Sequence, residues 1–213
     1  MQIGFILFTV IIAYLLGSVP SSVWVGRIFY NLDVREHGSG NAGTTNTFRV
    51  LGVKAGIVVF ILDAAKGWLA ASLVYMSNSL EPGTNSFVTL SIILGSAAVV
   101  GHIFPIYVGF RGGKGVATLF GVVMSIHLQA ALLALAVFVV ILLISRYVSL
   151  SSMLAGISFP IITIAVFKTT LLSLVIFSIV ISLLLLVTHQ HNILRLIRRE
   201  ESKANLFRRK KRD

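Results

Sequence analysis

Apolar and polar positions in this chain are segregated into long blocks, with none of the short alternation of a half-buried strand. Runs of about 20 mostly apolar residues recur along the whole length, enough for helices that cross a hydrocarbon core of roughly 30 Å. They predict spans at residues 3–27, 54–76, 86–107, 115–127, 129–146, 150–167 and 170–189. Residues 115–146 carry a polar interruption at His127 and Gln129. As one helix this stretch would run about 48 Å, which overshoots the core, so a break near His127 is expected and the fourth span is short. The first apolar segment has no basic residue ahead of it and no small-residue cleavage site followed by a soluble region, so it reads as a span. The expected fold class is an all-α integral membrane protein with seven transmembrane helices, residues 1–213 forming a single polytopic domain.

Composition supports this reading and charge orients it. The chain is 56% hydrophobic with a mean hydropathy of +0.95 and only 12% charged residues, outside the range of soluble domains. It contains no cysteine, which excludes disulfides, thiolate nucleophiles and thiolate metal sites. The net charge of +11 does not imply a nucleic acid partner, because in a membrane protein the placement of the basic residues matters more than their sum. Seven spans put 16 of the 18 lysines and arginines on one side, leaving Lys168 opposite and Lys66 inside a span. The positive-inside rule then places the N-terminus outside and the C-terminus in the cytoplasm. An even number of spans would scatter the charge over both faces. The tail RRKKR at 208–212 is suited to anionic lipid headgroups.

In this topology the polar islands share the cytoplasmic face, in loops at about 28–53, 108–114 and 188–213. The first contains HGSGNAGTTNTFR, residues 37–49. Gly38, Gly40 and Gly43 give it access to positive φ and close backbone approach, Ser39, Asn41, Thr44, Thr45 and Asn46 are short donors, and Arg49 offers a planar fork for phosphate. The second, GHIFPIYVGFRGGKG at 101–115, leads into a helix whose N-terminus lies beside Arg111 and Lys114, a dipole and two cations suited to an anion. GGKG lacks the spacing of a Walker loop, so alone it is a weak signal. The third, THQHNILRL at 188–196, sets His189 and Asn192 three apart on one helix face. Glycine loops are often mere turns, but three polar islands on one face, separated by plain apolar helices, point to a site for anionic ligands. Within the second span, Asp63 and Lys66 are three apart and can neutralise each other, a structural role; a proton or ion path is the functional alternative.

The chemistry this inventory allows is narrow. Acidic residues on that face are Asp33, Glu36, Glu200 and Glu201 besides the terminal one, with no DxD pair and no HExxH, so no metal or other cofactor is expected. There is no GxSxG elbow and no cysteine to carry a covalent acyl group, so direct transfer between two bound substrates fits better. A transporter for an organic phosphate would want a midplane site and usually an internal repeat, and none is evident. A lipid head-group transferase would bring an acidic metal cluster.

GSGNAGTTNTFRVLG, GHIFPIYVGFRGGKGVAT and HQHNILRLIRREE together resemble the three cytoplasmic motifs of the bacterial acyl phosphate dependent glycerol 3-phosphate acyltransferases, the PlsY family. The DxxKG of the second span extends the likeness. The resemblance implies a seven-helix enzyme of the bacterial inner membrane that moves a fatty acyl group from acyl phosphate to the sn-1 hydroxyl of glycerol 3-phosphate, giving lysophosphatidic acid and phosphate. It also implies membrane lipids as surroundings and an upstream enzyme that supplies the acyl phosphate. By position, Ser39 and Arg49 match residues needed for activity, with Gly38, Gly40, Asn41, Thr45 and Asn46 in the same loop. Gly112, Gly113 and Gly115 with Lys114 match the glycerol phosphate loop, His189 and Asn192 the polar pair of the third motif, and Glu201 a glutamate with a structural role. His191 stands where other members often have Asp, and Arg199 replaces a common glycine. The acceptor of the glycerol hydroxyl proton is left open between His189, with an ordinary pKa near 6.5, and a substrate phosphate, whose second pKa is about 6.

Overall fold

The structure, a computed structural model, describes residues 3–204, and no strand occurs among them. The basic run 208–212 lies outside the described residues. The first apolar segment is two helices, α1 (Ile3–Ser18) and α2 (Ser21–Tyr30), bent by 41°. Pro20 has no N–H and cannot continue the helix ladder, so the span expected over 3–27 is bent at this point. The expected loop 28–53 is also more ordered than its glycines suggest. It holds a 3₁₀ turn at Val34–Glu36, capped by the Asp33 side chain, and then α3 (Thr44–Leu51). Gly52, at φ +90°, turns the chain into α4 (Val53–Ser72).

α5 (Asn85–Ile103) starts at Thr84, whose hydroxyl accepts Phe87 N–H, and ends two residues before Pro105, short of the expected 107. α6 (Val116–Ile126) and α7 (Leu128–Ser145) are separate helices, and the break falls at His127 as the length argument requires. His127 Nδ1 accepts the Ala130 N–H at 3.3 Å and so caps α7. α8 (Val148–Ile161) contains Pro160 and passes into a π-helical turn at Ile162–Val166. Pro160 cannot donate to the Gly156 carbonyl four residues back, and Ser182 Oγ, from α9 (Leu172–Thr188), donates to that carbonyl at 2.6 Å. α9 turns by 60° into α10 (Gln190–Ile197), so the expected loop from 188 also begins as helix.

Among the described residues four helical stretches are long and apolar enough to cross a membrane, and six if each bent pair is one span; α6 is a shorter apolar helix of 11 residues. α7 buries only Ala130 and Ala131 and leaves large residues such as Leu143 and Ile144 exposed, a surface suited to hydrocarbon. The other helices meet through small residues, which allow the close backbone approach that drives association in lipid. A Cβ on Gly17 would stand 2.1 Å from Ala98 O, joining α1 to α5, and one on Gly121 would stand 1.8 Å from Ala64 O, joining α6 to α4.

Asp63 and Lys66 lie buried in α4 with a charge contact of 2.8 Å. The directed hydrogen bond of Lys66 Nζ goes to the Val19 carbonyl, also at 2.8 Å, at the α1–α2 bend. The pair therefore binds α4 to the bend in the first segment. Asp63→Ala leaves a buried ammonium without its counter-charge, a change that costs about 3–5 kcal/mol in comparable pairs. The expected outcome is a clear loss of monodisperse protein on size exclusion in detergent. Normal yield with lost activity would instead assign Asp63 a direct functional role.

Candidate active site

The first motif is built around Asn46. This side chain is 2% exposed; its Nδ2 donates to Val34 O at 2.7 Å and His37 O at 3.0 Å, and its Oδ1 accepts Ser39 N–H at 2.9 Å. Asn46 is thus the pin that folds residues 34–39 back onto α3. Gly38 and Gly40 have φ of +63° and +71°, as expected, whereas Gly43 is extended at φ −120° and begins α3. Ser39, Thr45 and Arg49 are exposed and Asn41 is half-buried. At the flank, Arg35 Nη1 donates to Val108 O at 2.9 Å and ties this loop to the second. Hydrogen bonds from Arg35, aided by Arg27, hold the Asp33 carboxyl well below the usual carboxylate range, and Asp33 in turn raises Arg35.

In the second motif two glycine amides are already used. Gly112 N–H donates to Ile103 O and Gly113 N–H to His102 O, both at 3.2 Å, closing the C-terminal end of α5. Those two amides therefore anchor the loop. Gly115, at φ +81°, sets up the start of α6, and Lys114 lies between these fixed points, half-buried. Burial pulls the Lys114 ammonium down to about 8, with Glu201 opposing and Arg195 and Arg49 reinforcing the shift.

The third motif lies on the α9–α10 turn. His189 is 3% exposed, and its Nδ1 is 2.8 Å from Leu185 O. A carbonyl only accepts, so this contact places the ring proton on Nδ1 and leaves Nε2 as an acceptor. Asn192 is buried; its Oδ1 accepts from Lys114 Nζ and its Nδ2 donates to Glu201 Oε1 at 2.7 Å. Glu201 also accepts from Ser149 Oγ at 2.7 Å and pairs with Arg195 at 3.0 Å. It is the knot between α10, the segment after it and the start of α8.

The three motifs converge. A Cβ on Gly43 would stand 3.9 Å from the Gly113 Cα, so the first loop runs beside the second, the charge of Arg49 acts on Lys114, and Lys114 is bonded to Asn192 of the third. Among the described residues neither Arg49 nor Lys114 forms an ion pair.

The family model described as glycerol-3-phosphate acyltransferase matches residues 7–199. The chain belongs to the glycerol-3-phosphate acyltransferase family. A relative of that name from Geobacillus kaustophilus is 44% identical over 195 residues, covering 91% of this chain and 93% of its own. One from Salinibacter ruber is 40% identical over 211 residues, covering 92% and 91%. The fold matches a crystal structure of PlsY, described as an integral membrane glycerol 3-phosphate acyltransferase, in its glycerol 3-phosphate form. The TM-score is 0.83 at 38% identity, over 93% of this chain and 94% of that one. The lysophosphatidic acid form matches with a TM-score of 0.81 at 36% identity over the same shares. As a member of this acyltransferase family, with its apolar helices, the chain is a multi-pass integral membrane protein.

Sequence reasoning on this member of the acyltransferase family missed Ser149 and the bonding role of Arg195. Ser149 sits in an apolar stretch with no motif around it, and only its contact with Glu201 brings it to the site. Arg199 adopts φ +60°, the region where glycine is unstrained.

Proposed function

We propose that this protein transfers a fatty acyl group from acyl phosphate to the sn-1 hydroxyl of glycerol 3-phosphate, releasing lysophosphatidic acid and phosphate. The observation that carries this reading is the pair Arg49 and Lys114. The two cations, from different motifs, repel each other and form no ion pair among the described residues, with the Glu201 charge also reaching Lys114, and an anion between them relieves the repulsion. The start of α6 adds unpaired N–H groups and a positive dipole end on the same side. Both proposed substrates carry phosphate, and a phosphate leaving group needs no covalent enzyme intermediate. The chain's task is to hold two anions in line and to stabilise the oxyanion that forms on the acyl carbon.

In this mechanism Arg49, Lys114 and the Ser39 hydroxyl hold phosphate oxygens, while Asn192, tied to Glu201, fixes the Lys114 ammonium. His189 presents Nε2 as an acceptor to the sn-2 hydroxyl and so orients the glycerol, and a substrate phosphate oxygen takes the proton of the sn-1 hydroxyl. His189→Gln keeps a polar atom near the Nε2 position, so kcat is expected to stay within about tenfold of wild type, with His189→Ala losing more. Loss of several orders of magnitude in the Gln variant would put the proton on His189 itself.

The site faces the cytoplasm of a bacterial cell in this reading, with seven spans, the N-terminus outside and the donor made by an enzyme upstream. The helix inventory supports seven when α6 joins the two bent pairs and the four long helical stretches. Purified protein supplied with acyl phosphate and glycerol 3-phosphate tests the function by released phosphate and monoacyl product. Acyl-CoA and acyl carrier protein in parallel test the donor. No product with any of the three donors would overturn the enzyme reading, and product from a thioester alone would overturn the donor.

A further inference from the structure

We propose that His102 is a positioning residue for the Lys114 loop, transmitting the restraint of the buried Asp63–Lys66 pair to the phosphate site; this rests on the acyl-transfer reading above. His102 occupies the last turn of α5 and is 6% exposed. It grips the glycine loop in two ways. Its carbonyl accepts the Gly113 N–H at 3.2 Å, and its ring lies so close that a Cβ on Gly113 would stand 2.3 Å from Nε2. On the other edge of the ring, Nδ1 is 3.1 Å from Thr118 Oγ1, in the first turn of α6, and 3.7 Å from Asp63 Oδ1. Gly113 and Thr118 flank Lys114 on either side, so one ring holds the chain both before and after the lysine. Behind the ring, Asp63 is fixed by Lys66, and Lys66 by the carbonyl of Val19. The polar chain thus runs from the bend in the first helical segment to the loop that presents Lys114, without touching the site itself.

A ring that only fills space would be replaceable by an apolar side chain of similar size. A positioning ring has to keep the hydrogen bond at its Nδ1. His102→Leu removes that bond, Thr118→Val removes its partner from the other side, and His102→Asn sets an amide atom near the Nδ1 position. The expected result is a KM for glycerol 3-phosphate raised about tenfold in His102→Leu, with kcat changed less than about threefold, as for loss of binding common to ground and transition states. Thr118→Val should shift KM in the same direction and His102→Asn should recover most of the affinity. Amide hydrogen exchange gives a readout that needs no turnover: the Gly112–Gly113 amides should exchange about tenfold faster in His102→Leu and near the wild-type rate in His102→Asn. A folded His102→Leu with wild-type KM and wild-type exchange overturns the proposal. So does a matched fall of kcat and folded yield in all three variants, which would make His102 a folding residue only. If wild-type protein transfers no acyl group, the acyl-transfer reading fails by itself, and the exchange rates still decide whether His102 holds the loop.

Discussion

Replacing Arg49 by alanine is expected to lower acyl transfer by about three orders of magnitude while leaving the helical fold intact. The two halves of that expectation have separate grounds. Arg49 is exposed on the last turn of α3 and takes part in none of the ion pairs among the described residues, so its removal leaves no buried group unsatisfied. Its positive charge nevertheless adds to the burial that lowers the proton affinity of Lys114, in keeping with a shared phosphate site. The fork can meet two phosphate oxygens at once, and a lysine in its place cannot, so Arg49→Lys should recover little of the loss. The measurements are kcat/KM for glycerol 3-phosphate, with circular dichroism and the thermal midpoint in detergent. Activity within tenfold of wild type would remove Arg49 from the site, and a collapsed melting curve would make its role structural.

The second large effect concerns Lys114. Lys114→Ala should lose about two orders of magnitude or more, because the cation fixed by Asn192 stabilises charge that develops on the substrates. Its pH dependence follows from burial. With the ammonium drawn down to about 8, the group is cationic below that pH and loses its charge as pH rises through it. Anion binding needs the charged form, so kcat/KM for glycerol 3-phosphate should fall on the alkaline side, with a midpoint near 8. A bound phosphate favours the charged form, and the same limb in kcat should lie at higher pH. Lys114→Arg keeps its charge throughout, so its residual activity should lack this limb. A limb unchanged in the arginine variant would assign the titration to another group.

Much of the fold is legible in the sequence for one physical reason: hydrocarbon tolerates only long apolar helices, so span positions follow from hydropathy and length. The break at His127 follows from the same arithmetic. Less legible are the features set by where hydrogen bonds go. Residues 44–51 carry β-branched threonines and sit among glycines, yet they form α3, because Asn46 ties up the loop ahead of them. The glycines of the second motif do not announce that the carbonyls at the end of α5 need partners and take two of its amides. The motif residues themselves were visible, and their convergence was inferred from topology. The particular contacts, Lys114 with Asn192 and Glu201 with Ser149, join residues separated by 78 and 52 positions, and no local pattern announces such pairs.

The bend in the first helical segment ties Pro20 and Lys66 to each other's fate. In an unbroken helix the Val19 carbonyl would take the N–H of residue 23; at the bend it accepts from Ser21 N–H at 3.0 Å and from Lys66 Nζ at 2.8 Å. A helix straightened by losing Pro20 would reclaim that carbonyl and leave a membrane-embedded ammonium with half its partners. A chain that lost Lys66 would leave Asp63 as a bare negative charge at the same depth. The two positions, 46 residues apart along the chain, therefore act as one unit, and replacing either alone leaves a buried charge short of its partners.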